Sequence, residues 1–126
     1  MADLFPLFLP SDARRLFQTE SILRRFAQAA HWSNTSKLLE LHGSLGGLAL
    51  TKALNCTLTV AEPDPQMLEA LKERARVAGI ADKVTFLNKR FDELEFPDKS
   101  FDGVFALGRV VGTLDGGSAK ARKWLV

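Results

Sequence analysis

The sequence contains one cysteine, Cys56, among its 126 residues. No disulfide can form within the chain, which suits a reducing compartment, and a cytoplasmic location is expected. With only two histidines beside that cysteine, there is no Cys/His spacing that would hold a metal ion. Neither sign of charge predominates. The net charge of +2 falls short of the concentrated basic face that nucleic-acid binding demands. No stretch approaches the roughly 18 apolar residues of a membrane span, so no membrane association is expected. The apolar start, Leu4-Phe5-Pro6-Leu7-Phe8-Leu9-Pro10, follows Asp3 rather than a basic residue. It therefore lacks the features of a secretory signal and reads as an arm over residues 1–10, packed on its own domain or on a partner.

What is present is ordinary for a globular protein: 46% apolar and 25% charged residues, enough for one domain over 1–126 with a core. Residues 11–36 form a helix and connection. Ser11 to Ala30 is amphipathic, with Leu16, Leu23, Phe26, Ala27 and Ala30 on one side and Arg14, Gln18, Ser21, Arg25 and Gln28 on the other. A strand is predicted over Lys37–Leu41, a helix over Gly46–Leu54 with Leu48, Ala49, Ala53 and Leu54 inward, and a strand over Cys56–Ala61. Asp64 and Pro65 signal the next helix start, and Gly79 its end. Met67, Leu68, Leu71, Ala75 and Ala78 are placed inward on this helix, with Glu69–Lys72 and Glu73–Arg76 pairs on its wet side. Strands over Val84–Leu87 and Phe101–Leu107 follow, and the alternation implies a parallel sheet with right-handed crossovers over residues 37–115. Residues 116–126 read as an incomplete C-terminal helix ending on Trp124-Leu125-Val126 without a stop signal. Either the chain is a fragment of a longer ancestor or another chain covers this end.

The sharpest pattern is Leu38-Leu39-Glu40-Leu41-His42-Gly43-Ser44-Leu45-Gly46-Gly47, with Glu62 following Glu40 by 22 positions. An apolar strand ending in an acid, a small-residue loop, a helix and a second acid form the frame that holds a nucleotide-type cofactor at the first strand-to-helix turn.

Together with Ala78-Gly79-Ile80-Ala81-Asp82-Lys83-Val84-Thr85-Phe86 and Phe96-Pro97-Asp98-Lys99-Ser100-Phe101-Asp102-Gly103-Val104, this frame resembles the class I S-adenosylmethionine-dependent methyltransferases over about Leu38 to Leu114. The resemblance implies an α/β, Rossmann-like core of four parallel strands with an added N-terminal helix, lacking the family's C-terminal strands. It implies S-adenosylmethionine as cofactor, its methionine part against the loop after the first strand and its ribose on Glu62. The departures are specific. The family loop is acidic-x-Gly-x-Gly-x-Gly, and the three glycine places here hold His42, Ser44 and Gly46. Glycine serves there because ligand approaches bare main chain, so His42 and Ser44 would obstruct it; Gly43 could restore the turn in a shifted register. Arg90 stands near where the family places an acid for the adenine amino group, with Asp92 or Glu93 as substitutes. The cofactor candidates are therefore Glu40, His42, Gly43, Ser44, Gly46, Glu62 and Arg90.

No catalytic residue is assigned. His42 could act as a general base or simply pack; His31 beside Trp32 could cover a cofactor or form a hinge; Arg109 could grip a carboxylate or remain solvated. Cys56 belongs to the core. No Asn/Asp-Pro-Pro-aromatic motif follows the fourth strand, against the amino-group methyltransferases acting on adenine or glutamine. Three readings remain. The first is a degenerate, pseudoenzyme-like methyltransferase domain, binding cofactor weakly or not at all and acting through protein contacts as a homo-oligomer or with a partner that covers strand four and the C-terminal end. The second is an active small-molecule methyltransferase, or a fragment of one. The third and weakest is a dinucleotide-binding module, for which Glu62 would also suit a ribose.

Overall fold

The computed structural model describes residues 23–106 and 117–126. The apolar arm, the start of the N-terminal helix and Arg109 lie outside the described residues. Four parallel strands, β1 (Lys37–Leu41), β2 (Thr57–Ala61), β3 (Val84–Leu87) and β4 (Gly103–Phe105), form a sheet in the order β3-β2-β1-β4. Helices α1 (residues 23–30), α2 (Leu45–Leu54) and α3 (Pro65–Val77) pack on one face, and α4 (Gly117–Trp124) on the other.

Side-chain alternation along β1 divides the core. Leu38 joins Leu48, Leu58, Val60, Leu71 and Ala75 on the helical face. Leu39 and Leu41 join Ala61, Leu94, Phe101 and Trp124 on the other. Residues two apart on a strand share a face, so Glu40 points with Leu38 toward α2. The helix signals act as read: the Asp64 side chain accepts from Gln66 N at 2.9 Å, Pro65 opens α3, and Gly79 stops it at φ 78°. The pairs Glu69–Lys72 and Glu73–Arg76 form on the exposed side. At the end of α2 the left-handed residue is Asn55 (φ 59°), a tolerated substitute for glycine.

Several expectations are corrected. Ala53 is exposed and Leu50 with Thr51 is buried instead; Met67, Phe26 and Ala30 also face out. In each case the helix is rotated by what it packs against, which periodicity does not specify. β2 begins at Thr57 rather than Cys56. The fourth strand, Gly103–Phe105, starts two residues later than expected, because Asp102 turns to hold the start of β1 through Lys37 N, 2.8 Å from its Oδ2; Leu107 lies outside the described residues. Phe101 pairs instead with Leu125 in a parallel bridge. The end of the chain is accordingly not a continuing helix: α4 stops at Trp124, and Val126 N donates to Phe101 O at 2.9 Å. Trp124 is buried edge-on against Phe96 and Phe91.

Candidate functional site

The site is built at the carboxyl ends of β1 and β2, which lie side by side with Glu40 opposite Val60 and Leu41 opposite Ala61. The ladder continues one step further, His42 N donating to Ala61 O at 2.8 Å. His42 then turns with φ 64°, a left-handed conformation that favours glycine but that histidine adopts more readily than most residues. The turn needs no shifted register, since Gly43 is not the left-handed residue. Gly43 is required for space: a Cβ there would lie 2.1 Å from Leu71 Cδ1 and 2.9 Å from Val60 Cγ1.

Ser44 turns its hydroxyl back onto its own chain. It is the N-cap of α2, its Oγ accepting from Gly47 N at 3.2 Å and donating to Glu40 Oε2 at 2.5 Å, while its own N–H donates to Glu40 Oε1 at 3.2 Å. Both oxygens of Glu40 are thus engaged by one residue. Glu40 is wholly buried, and desolvation raises its pKa to about 8; the Ser44 hydrogen bonds oppose that rise and the nearby Glu62 adds to it. Gly46 is buried in the first turn of α2. Its neighbour Gly47 was missed by motif reading, yet a Cβ on Gly47 would lie 2.2 Å from Glu40 Oε1. A glycine inside a helix costs stability, and that misplacement was the available signal of a close approach.

Glu62 is also buried but differently held. Its Oε1 accepts from Gly43 N at 3.1 Å and its Oε2 from Asp64 N at 2.9 Å. A carboxylate has about four acceptor positions, so two backbone amides fix it without exhausting it. His42 Nδ1 stands 4.0 Å from Oε2, its side chain 23% exposed. Asn88, another residue missed, donates from Nδ2 to Glu62 O at 3.0 Å and Pro63 O at 3.1 Å, tying the end of β3 to this turn.

The structure therefore brings Glu40, Ser44 and Gly47 together in one cluster and His42, Gly43 and Glu62 in an adjoining one. Arg90 does not join them. Its exposed guanidinium faces Asp92 at 3.3 Å and Glu93 at 3.5 Å, so those carboxylates serve Arg90 itself. His31 is an exposed left-handed residue in the turn after α1. Cys56 is a free, buried thiol whose pKa burial pushes up. Among the described residues no group of His, Cys, Asp and Glu is arranged for a metal, and no helix is long and apolar enough to cross a membrane. Two clefts open elsewhere. One of about 490 Å³ is lined by Glu95, Phe96, Asp98, Lys120, Lys123 and Trp124. A smaller one of about 200 Å³ lies between α4 and the ends of β1 and β4.

Comparison with solved structures returns the same fold. An RNA methyltransferase from Salinibacter ruber, in complex with S-adenosyl-L-homocysteine, superposes with a TM-score of 0.64 at 22% identity, over 79% of this chain and 67% of its own. A Methanococcus maripaludis protein described as an S-adenosyl-L-methionine-dependent methyltransferase gives 0.76 at 14% identity, over 90% and 54%. The [4+2]-cyclase SpnF gives 0.74 at 16% identity, over 84% and 40%. The chain thus spans two thirds of the first of these and about half or less of the other two. No curated protein sequence matches it. A family profile described as a methyltransferase domain matches residues 42–122. That span covers more than half of the chain and includes the loop, Glu62 and the last two strands, and by it the protein belongs to the class I S-adenosylmethionine-dependent methyltransferase family.

Proposed function

We propose that this is a methyltransferase-fold domain whose cofactor loop is filled by its own side chains, so that S-adenosylmethionine binds weakly or not at all. The observation that carries the reading is that Glu40 is already engaged and Glu62 has an imidazole beside it. Ser44 engages both oxygens of Glu40, and the imidazole of His42 stands beside the Glu62 carboxylate that a ribose would approach. At neutral pH the raised pKa of Glu40 keeps it largely protonated, which weakens its attraction for a cationic donor. The [4+2]-cyclase on the same fold is a reminder that the architecture alone does not dictate methyl transfer.

In this reading the domain acts through protein contacts, as a homo-oligomer or with a partner protein, in the cytoplasm. The docking surface is the outer side of β4 and the C-terminal residues. Among the described residues the Phe101–Leu125 bridge meets only the beginning of that edge, and an open strand edge invites pairing. Sedimentation showing a monomer at every concentration and no co-purifying partner would count against this role.

An active small-molecule methyltransferase is the second reading, favoured by one observation: Glu62 is fixed by two backbone amides with acceptor capacity left over. Methyl transfer asks mainly for aligned reactants, so a missing general base is no obstacle. Dinucleotide binding is disfavoured, because a pyrophosphate would need the N-terminus of α2, where the Glu40 carboxyl lies and Ser44 already caps Gly47 N.

Calorimetry with S-adenosylmethionine and S-adenosylhomocysteine separates the readings. Little or no binding is expected for the natural chain, with a gain of about tenfold or more in a His42→Gly/Ser44→Gly variant. Micromolar binding by the unaltered protein, abolished by Glu62→Ala, would establish the second reading instead.

A further inference from the structure

The larger cleft, of about 490 Å³, opens on the α4 face of the sheet beside the start of β4. Its walls come from two segments. The loop before β4 supplies Glu95, Phe96 and Asp98, and the last turns of α4 supply Lys120, Lys123 and Trp124. The two are fastened together. Lys99 N donates to Lys123 O and Phe101 N to Trp124 O, both at 2.8 Å, and Phe96 stands edge-on to the buried Trp124 with ring centroids 4.9 Å apart. Main-chain bonds and a packed aromatic pair thus fix the two walls against each other.

Within the cleft one ammonium is held in place and only partly used. Lys120 Nζ lies 5.9 Å from the centre of the Phe91 ring and 5.8 Å from that of Trp124, and its side chain is 29% exposed. The ring faces attract the cation and keep it there. An ammonium has three N–H groups, of which the carbonyl of Asp92, at 3.5 Å, takes one. Glu95 Oε1 stands 3.9 Å from Nζ, beyond hydrogen-bond length, and Glu95 accepts no hydrogen bond from any described residue. Cation and carboxylate face each other beside an aromatic surface without satisfying each other.

That charge pattern narrows the occupant. A simple carboxylate drawn to Lys120 would face the Glu95 carboxylate, and a simple ammonium drawn to Glu95 would face Lys120, so either ion meets a like charge. A molecule carrying both charges suits both groups, provided that their separation matches. In an α-amino acid the ammonium nitrogen and the carboxylate oxygens are held about 3 Å apart by covalent geometry, close to the 3.9 Å between Nζ and Oε1. Laid antiparallel, the two pairs become four charges of alternating sign. The cleft falls within the roughly 300–1,000 Å³ of small-molecule sites, which leaves room for a side chain along Phe96.

We propose that this cleft binds a free α-amino acid with an apolar side chain, its carboxylate on Lys120, its ammonium on Glu95 and its side chain against Phe96. The site goes beyond the proposed function and does not depend on whether S-adenosylmethionine binds, since Glu40 and Ser44 lie on the other face of the sheet.

The test is an NMR titration of the full chain at pH 7 with norleucine, its isomer 6-aminohexanoate, hexanoate and pentylamine. Norleucine should shift the amides of Glu95, Phe96 and Trp124 saturably, with a Kd of about 1 mM, as suits partly exposed charges. The other three should bind about fivefold more weakly or worse; 6-aminohexanoate has the same atoms with its charges set apart. Glu95→Gln, at a side chain 89% exposed and so without consequence for the fold, should bring norleucine down to the level of hexanoate. Glu95→Lys should reverse the preference, hexanoate then binding more tightly than norleucine. The proposal is overturned if norleucine does not saturate, if any of the other three matches it on the natural chain, or if either substitution leaves the ranking unchanged. It is equally overturned if the shifts gather at His42 and Gly43, on the cofactor loop.

Discussion

Glu40 and Glu62 stand at the ends of neighbouring strands, near enough for Glu62 to help raise the pKa of Glu40, yet they are held in opposite ways. Glu40 is locked by Ser44 beneath the first turn of α2 and pressed against Gly47, with no solvent access. Glu62, one residue beyond its strand, is gripped by main-chain amides from two loops and keeps a side open toward His42. The first is an internal strut. The second keeps unused acceptor capacity. The difference shows that an acid at the right place in a motif is not thereby a ligand contact; what matters is whether the chain supplies the hydrogen bonds that a ligand would otherwise make.

The largest effect that could break this contrast is a pH dependence. The folded-state pKa of Glu40 lies near 8, above its ordinary 4.5. Between those values the folded chain retains a proton that the unfolded chain has released. Stability should therefore fall as pH rises through this window, by up to about 1.4 kcal/mol per pH unit. Urea midpoints at pH 5, 6.5 and 8 should show the decline, and Glu40→Gln should flatten it. An equal decline in the Gln variant would remove Glu40 from its buried role.

Gly47→Ala comes next. Alanine normally strengthens a helix relative to glycine, but here its Cβ would lie 2.2 Å from Glu40 Oε1. Overpacking at such a contact should cost about 2–3 kcal/mol, measured by chemical denaturation. A stabilised variant would mean that Glu40 can move aside freely. Ser44→Ala should cost about 1–2 kcal/mol, since it removes the cap of α2 and a donor to the buried acid. His42→Gly should be the mildest. Relief of the left-handed backbone and the extra chain entropy of glycine are each about 1 kcal/mol and oppose one another, leaving the melting temperature nearly unchanged.

Much of the frame is legible in the residues. Lys37–Leu41 forms a strand with the bounds its apolar density implies, and Asp64, Pro65 and Gly79 begin and end α3 because caps act through neighbours in sequence. Glu62 is placed correctly at the end of the second strand by spacing alone. Less legible is anything that depends on contact at a distance. Met67 and Phe26 fit an inward stripe yet face solvent, since the sheet fixes how each helix is rotated. Phe101 reads as part of β4 until Leu125, distant in sequence, claims its backbone. Ser44 reads as an obstruction, and only the position of Glu40 turns it into a cap and a lock.

The order of elements, their parallel sense and the two acids at the head of the sheet were set by the sequence itself, because periodicity, capping and turn chemistry act over a few residues. Which acid remains available, which glycine is indispensable and where the larger cleft opens were decided only on folding. Those properties arise from atoms brought within hydrogen-bonding or van der Waals reach across separate strands and helices, and no local pattern encodes that distance.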